Sequence, residues 1–527
     1  MSFNSWPYGV FLGIVFLLYW QLPWRGRLVL LLGASYFFYG FWDVRFLALL
    51  LTSTTIDYYC GLAINGRRDG VAKVALTACL PAIWLTICAT TPGRRAEVHH
   101  WIIGAALAFP MVFTGAYEIF WRLPEVRQRR AFLLLSIVTN LGVLGFFKYF
   151  NFFADSLSGL LGQFGWRPDW VLPHIILPVA ISFYTFQSIA YSVDIYNGKA
   201  KPAQSLLTFA AYLSFFPQLV AGPIERPNHL LPQFEKSATW DIGHLHAGLR
   251  LILIGVFKKV FVADNCAMVA NYVFSNEPGL NGPWAILGVI AFAFQIYGDF
   301  SGYTDIARGS ARLLGIELSP NFNSPYSARS PSEFWQRWHI TLSTWFRDYV
   351  YIPLGGNRCG PARMLVNLWI TMLLAGLWHG ASWTFILWGA YHAALLTLYR
   401  WTPALRNLSE SKEGLAWRIP AGVALMFPLT LAGWAIFRSH DPGQLHHWLQ
   451  ALANWSTPAP AGWLKPAGWL LLHAGPLLLL QAAAWRQPDE IAFENLPWVL
   501  RGVVYAVFFL GITTTLSLDY EFIYFQF

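Results

Sequence analysis

The sequence predicts an all-α, polytopic integral membrane protein, and three observations carry that reading. Only 12% of the 527 residues are charged, against about 25% in a typical soluble domain. The chain is 56% hydrophobic, with a mean hydropathy of +0.43. Apolar runs close to the ~20 residues that cross a hydrocarbon core recur along its length. Such a chain cannot present a soluble surface, so membrane lipids are its expected surroundings and 1–527 reads as one membrane domain.

The runs fall near 7–22, 27–42, 46–64, 71–90, 101–120, 131–150 and 171–194, then 246–272, 281–298, 362–378, 381–400, 418–437, 463–484 and 499–517. The first lacks a basic leader, so no cleavable signal peptide is evident. The net charge of +9 goes with basic loops rather than with a nucleic-acid partner, and none is expected. Arg25 and Arg27, Arg67 and Arg68, Arg122 with Arg127, Arg129 and Arg130, and Lys199 with Lys201 recur after every second crossing. Arg94 and Arg95 are the exception. The positive-inside rule then places both ends of the chain outside, given fourteen crossings.

Two segments do not read as simple spans. Residues 204–224 are apolar but end in Pro217 and the Gly222-Pro223 pair. Residues 299–361 are rich in Trp, Arg, Asp and Pro. Polar irregular backbone survives at membrane depth only where protein or water surrounds it, so both are expected to be re-entrant or interfacial segments lining a cavity. No internal repeat marks a secondary transporter. Cys60, Cys79, Cys88, Cys266 and Cys359 are far apart and lack metal spacing, so they read as small packing residues.

Candidate chemistry concentrates late in the chain. His379 sits in GLWHGASW between two apolar runs. An ionisable group there is functional by default, and neutral imidazole is a good base near pH 7. The competing reading is a hydrogen-bonded core histidine between helices. His339, in RWHITLSTWFRD, is either a second functional group or an interfacial histidine, on a helix-compatible stretch. His392 reads as helix packing. Asp299, Asp305, Arg347 and Asp348 fit either a polar ligand or structural ion pairs. Gly355-Gly356 marks a tight turn or a close approach of backbone to ligand. Trp378 adjoins His379 in the same motif.

The run from Asp299 to His392 resembles the membrane-bound O-acyltransferase (MBOAT) family, in its bacterial polysaccharide branch. The matching stretches are SFFPQLVAGPI at 214–224, DFSGY at 299–303, EFWQRWHITLSTWFRDYVYIPLGGNR at 333–358 and GLWHGASWTFILWGAYH at 376–392. LLLGASYFFYGFWDVRFLALL at 30–50, GFFKYFNFF at 145–153 and ILPVAISFYTFQSIAYSVDIY at 176–196 also fit. Residues 65–130 look like an insertion, expected to form a peripheral pair of helices with a basic loop.

The resemblance implies a helical horseshoe around a transmembrane tunnel, His379 as the catalytic residue and His339 as a second functional one. Asp299, Arg347, Asp348, Gly355, Gly356 and Trp378 are the expected substrate-binding positions. It implies acyl transfer from acetyl-CoA in the cytoplasm, across the bacterial inner membrane, to an exported polysaccharide such as alginate. No tightly bound cofactor or metal is expected. The 521–527 stretch, EFIYFQF, is expected outside, with Tyr524 as an acyl relay to a periplasmic SGNH-type acetyltransferase or, alternatively, as part of an aromatic interfacial anchor. A transporter or flippase for a lipid-linked saccharide is the reading from another class.

Overall fold

The computed structural model describes residues 2–90, 100–166, 175–220, 222–275, 280–409, 418–456, 464–484, 496–515 and 522–523. All regular structure among them is helical, and each of the fourteen predicted apolar runs overlaps a helix. Among the described residues, eight stretches are long and apolar enough to cross a membrane. Several of the fourteen predicted runs do not stand as separate stretches of that length and hydropathy. Runs 27–42 and 46–64 belong to one stretch, Trp24–Ile64, turned at Val44–Phe46, where Asp43 pairs with Arg45 at 2.5 Å. Trp6–Gln21 and Ile181–Tyr196 have 16 residues each. The 246–272 run carries Lys258, Lys259 and Asp264.

The chain forms two compact units: residues 1–246 with 310–318, and residues 247–309 with 319–527. The first is built on Leu47–Ile64, which is buried along most of its length. Its Asp57 carboxylate, deep among helices, accepts from Ser136 Oγ at 2.6 Å and Asn140 Nδ2 at 2.9 Å. Ser136 also pairs with Ser192 at 2.8 Å. A buried carboxylate is costly unless its oxygens are satisfied, so this cluster ties Leu47–Ile64 to Glu125–Leu144 and Ile181–Tyr196. The 204–224 segment is two short buried helices, Leu206–Ser214 and Phe216–Leu219. Within the 65–130 segment, Val71–Thr90 and Ile102–Trp121 are the two span-length stretches. Only 11% of the Ile102–Trp121 window is buried, so that helix shows most of its surface to the surroundings.

In the second unit, glycines set the helix spacing. A Cβ on Gly255 would meet the Gly302 carbonyl at 2.6 Å, and one on Gly309 would meet the Gly248 carbonyl at the same distance. Seven residues separate the partners on each helix, which is two turns. Ile242–Val256 therefore lies antiparallel and in near backbone contact with Gly282–Leu313. This corrects the expectation for DFSGYTDIARG. Residues 299–313 are not irregular but the second half of a continuous 32-residue helix. Their acidic groups are tolerated because lysines meet them: Lys258–Asp305 at 2.8 Å and Lys259–Asp299 at 2.9 Å, with Lys259–Asp264 at 2.7 Å. Both lysines project from a π-helical turn, Phe257–Ala263, a distortion often found at functional sites. The irregular part begins later, at 319–360, with short helices Pro331–Arg337 and Ile340–Phe346 and a second π turn, Arg347–Tyr351.

Candidate active site

His379 is the last residue of Pro361–His379, at the apex of a hairpin with Trp383–Trp401. The hairpin is tight because Gly376 and Gly389 face each other. A Cβ on either would run into backbone of the opposite helix, the Phe385 carbonyl for Gly376 and the Met372 carbonyl for Gly389. Small residues at such crossings let helices approach closely in a membrane. Ser382 starts the second helix by accepting from the Thr384 N–H. His379 is only 4% exposed. Its ring lies 5.1 Å from Trp378, 4.9 Å from Trp388 and 5.2 Å from Phe437.

His339 is fully buried. It does not continue a helix, as the sequence suggested; it is the N-cap between Pro331–Arg337 and Ile340–Phe346, with φ 41° and ψ 56°. A left-handed backbone at a non-glycine residue is uncommon and tends to mark functional sites. Asn321 fixes it. The Asn321 Oδ1 accepts from the Thr341 N–H at 3.2 Å and the Thr341 hydroxyl at 2.9 Å, and stands 3.1 Å from His339 Nδ1. An oxygen that receives an N–H is the acceptor, so Nδ1 is the donor and neutral His339 carries its lone pair on Nε2. In this setting the unprotonated ring nitrogen of neutral His339, Nε2, is an acceptor. Its ring packs edge-on against Phe300 at 4.7 Å and against Trp378 at 5.8 Å. Trp378 thus touches both imidazoles. Trp388 links His379 in turn to His392, whose ring is 4.6 Å away and sits among Phe334, Trp335 and Tyr391. The two expected histidines therefore converge on one buried aromatic cluster.

The membrane-bound O-acyltransferase family model matches residues 203–436, a range that holds both histidines and their hairpin. Over 435 residues the chain is 38% identical to the "Probable alginate O-acetylase AlgI" of Azotobacter vinelandii, covering 82% of this chain and 74% of that one. It is 34% identical to the "Peptidoglycan O-acetyltransferase" of Helicobacter pylori, over 77% of this chain and 70% of that one. A more distant relative is the "Teichoic acid D-alanyltransferase" of Bacillus subtilis, 28% identical over 52% of this chain. The chain belongs to the MBOAT family. It is a multi-pass membrane O-acyltransferase.

The other expected positions of this MBOAT chain have contacts of their own. Asp299 is engaged within the protein, by Lys259 and by the backbone N–H of Ile523, which donates to Oδ2 at 2.6 Å. Arg347 and Asp348 form a neighbouring ion pair at 2.8 Å, with the arginine side chain 59% exposed. Gly355 and Gly356 have φ of 115° and 54°, so they make a left-handed turn that other residues would strain. Asn367 Nδ2 donates to the Gly356 carbonyl at 3.3 Å. Tyr524 lies outside the described residues. Sequence reasoning missed Asn321, within the 299–361 segment it singled out, and Lys259, whose charge in an apolar run was itself the signal.

Proposed function

We propose that this O-acyltransferase moves acetyl groups from acetyl-CoA on the cytoplasmic side of a bacterial inner membrane toward an exported polysaccharide, with His379 as general base. The observation that supports it most is the convergence of His379 and His339 on the Trp378 ring, at the apex of a glycine-tight hairpin. An acceptor hydroxyl brought to His379 gives up its proton to the imidazole as its oxygen attacks the thioester carbonyl. The C–O bond forms, the C–S bond breaks, and the thiolate leaves with the proton that the imidazolium returns. His339, on the other side of Trp378, offers Nε2 as a second proton acceptor. Burial of both rings excludes water, which would otherwise hydrolyse the thioester.

The acceptor in this reading is Tyr524, and a periplasmic SGNH-type acetyltransferase then takes the acetyl group to the polymer. A phenol has a pKa near 10 and needs a base; its ester is a better acyl donor than an alkyl ester. The alginate O-acetylase and peptidoglycan O-acetyltransferase relatives support a polysaccharide as final acceptor. The test is His379→Ala, with polymer acetylation measured alongside membrane abundance. The expected outcome is a loss of roughly 10²–10⁴ in rate at normal abundance. Normal acetylation at normal abundance removes His379 from the mechanism. Tyr524→Phe, which keeps the ring and removes only the oxygen, separates relay from anchor in the same assay.

A further inference from the structure

We infer that Asp299, set by Lys259, is a receptor for the backbone of residues 522–523 and holds that segment one ring away from His339. On Gly282–Leu313, Tyr303 lies four residues after Asp299 and three after Phe300, so it neighbours each of them on the helix surface. The Asp299 carboxylate is 2% exposed as a residue. One oxygen meets the Lys259 ammonium at 2.9 Å, and the other accepts the Ile523 N–H at 2.6 Å. Lys259 is in turn shared with Asp264 at 2.7 Å, so the cation is fixed from two sides. Beside this bond the Phe522 ring lies 4.2 Å from Tyr303 and 6.1 Å from Phe300. Phe522 and Ile523 are 1% and 2% exposed. Phe300 then meets the His339 imidazole edge-on at 4.7 Å.

Two independent features thus grip the segment: a charge-assisted bond to its backbone and a buried ring beside it. A packing contact alone needs no carboxylate aimed at an amide. Burying one also requires the counter-charge that Lys259 supplies. Asp299 is then a positioning residue: it touches neither His379 nor His339 in any described contact, and acts by fixing the chain that leads directly into Tyr524. The effect on acetylation rests on the function proposed above, whereas the docking itself does not.

The test is hydrogen exchange on the full chain in detergent, read at the peptide holding 522–523, for wild type, Asp299→Asn, Phe522→Ala and His379→Ala. The Ile523 amide is expected to exchange slowly in wild type and His379→Ala. It is expected to exchange faster by roughly tenfold or more in Asp299→Asn and Phe522→Ala, with protection across 282–313 unchanged. Acetylation falls in all three variants, but only His379→Ala loses it with the segment still docked. Wild-type exchange as fast as an unstructured peptide overturns the docking, as does unchanged protection in both docking variants. Lost protection with wild-type acetylation overturns the positioning role and leaves the His379 reading to its own test. Should Asp299→Asn fail to accumulate, Phe522→Ala, which removes only a ring from the segment, decides alone.

Discussion

At the residue scale, His339 does two jobs that a single substitution confuses. Its backbone is left-handed, which costs an ordinary side chain of order 1–2 kcal/mol, while its ring packs against Phe300 and Trp378. Asparagine tolerates that backbone; alanine gains nothing there. His339→Asn is therefore expected to reach wild-type membrane abundance and to lose most activity, and His339→Ala to lose activity and about 1 kcal/mol of stability as well. Thermal unfolding in detergent, run beside an acetylation assay, checks the pair. Equal stability of the two variants would remove the backbone argument, and full activity of His339→Asn would remove the chemical one. RWHITLS singled His339 out, but its conformation was not legible there. Nothing local signals a left-handed histidine, because the Asn321 contact that supports it comes from 18 residues away.

At the element scale, the contacts that position the site are glycine crossings. Gly248 and Gly255 oppose Gly309 and Gly302, and Gly376 opposes Gly389. The seven-residue spacing stood in the sequence, yet the polar residues of 299–361 made that stretch read as a re-entrant or interfacial segment. The lysines that neutralise those carboxylates lie about forty residues upstream, and pairing across that distance cannot be read from local hydropathy. Overpacking a close crossing costs roughly 1–3 kcal/mol. Gly302→Ala is expected to lose about that much, since the new Cβ would stand 2.7 Å from the Gly255 carbonyl. Gly104→Ala, with nothing within 4 Å, should be neutral or slightly stabilising. Unfolding midpoints of the two variants make the comparison, and equal midpoints would show that the crossing can relax.

At the scale of the whole molecule, the membrane class and the helical content were legible because hydropathy is a sum over many residues and survives local error. The division into two units was not, since it depends on contacts distant in sequence. Residues 310–318 join the first unit although their helix begins in the second. The two histidines and their aromatic cluster belong wholly to the second unit. Not every predicted apolar run is a separate span-length helix: 27–42 and 46–64 lie on one stretch, and the 246–272 run carries four charges, Arg250, Lys258, Lys259 and Asp264.

Those charges bear on how the chain enters the bilayer during synthesis. A lysine at the centre of an isolated helix opposes insertion by roughly 2.5–3.5 kcal/mol, and Lys258 and Lys259 are adjacent. Their partners Asp305 and Asp299 emerge from the ribosome only later, on Gly282–Leu313. The two helices are then expected to leave the translocon as a pair, the first waiting at the protein-lined interior until its counter-charges arrive. In a nascent chain stopped near residue 280, protease protection or a glycosylation acceptor placed after residue 274 should show the 242–274 region not integrated across the membrane. Extension past residue 313, or replacement of both lysines by leucine, should anchor that region. Stable integration of the unmodified short chain would show that this helix needs no companion to cross.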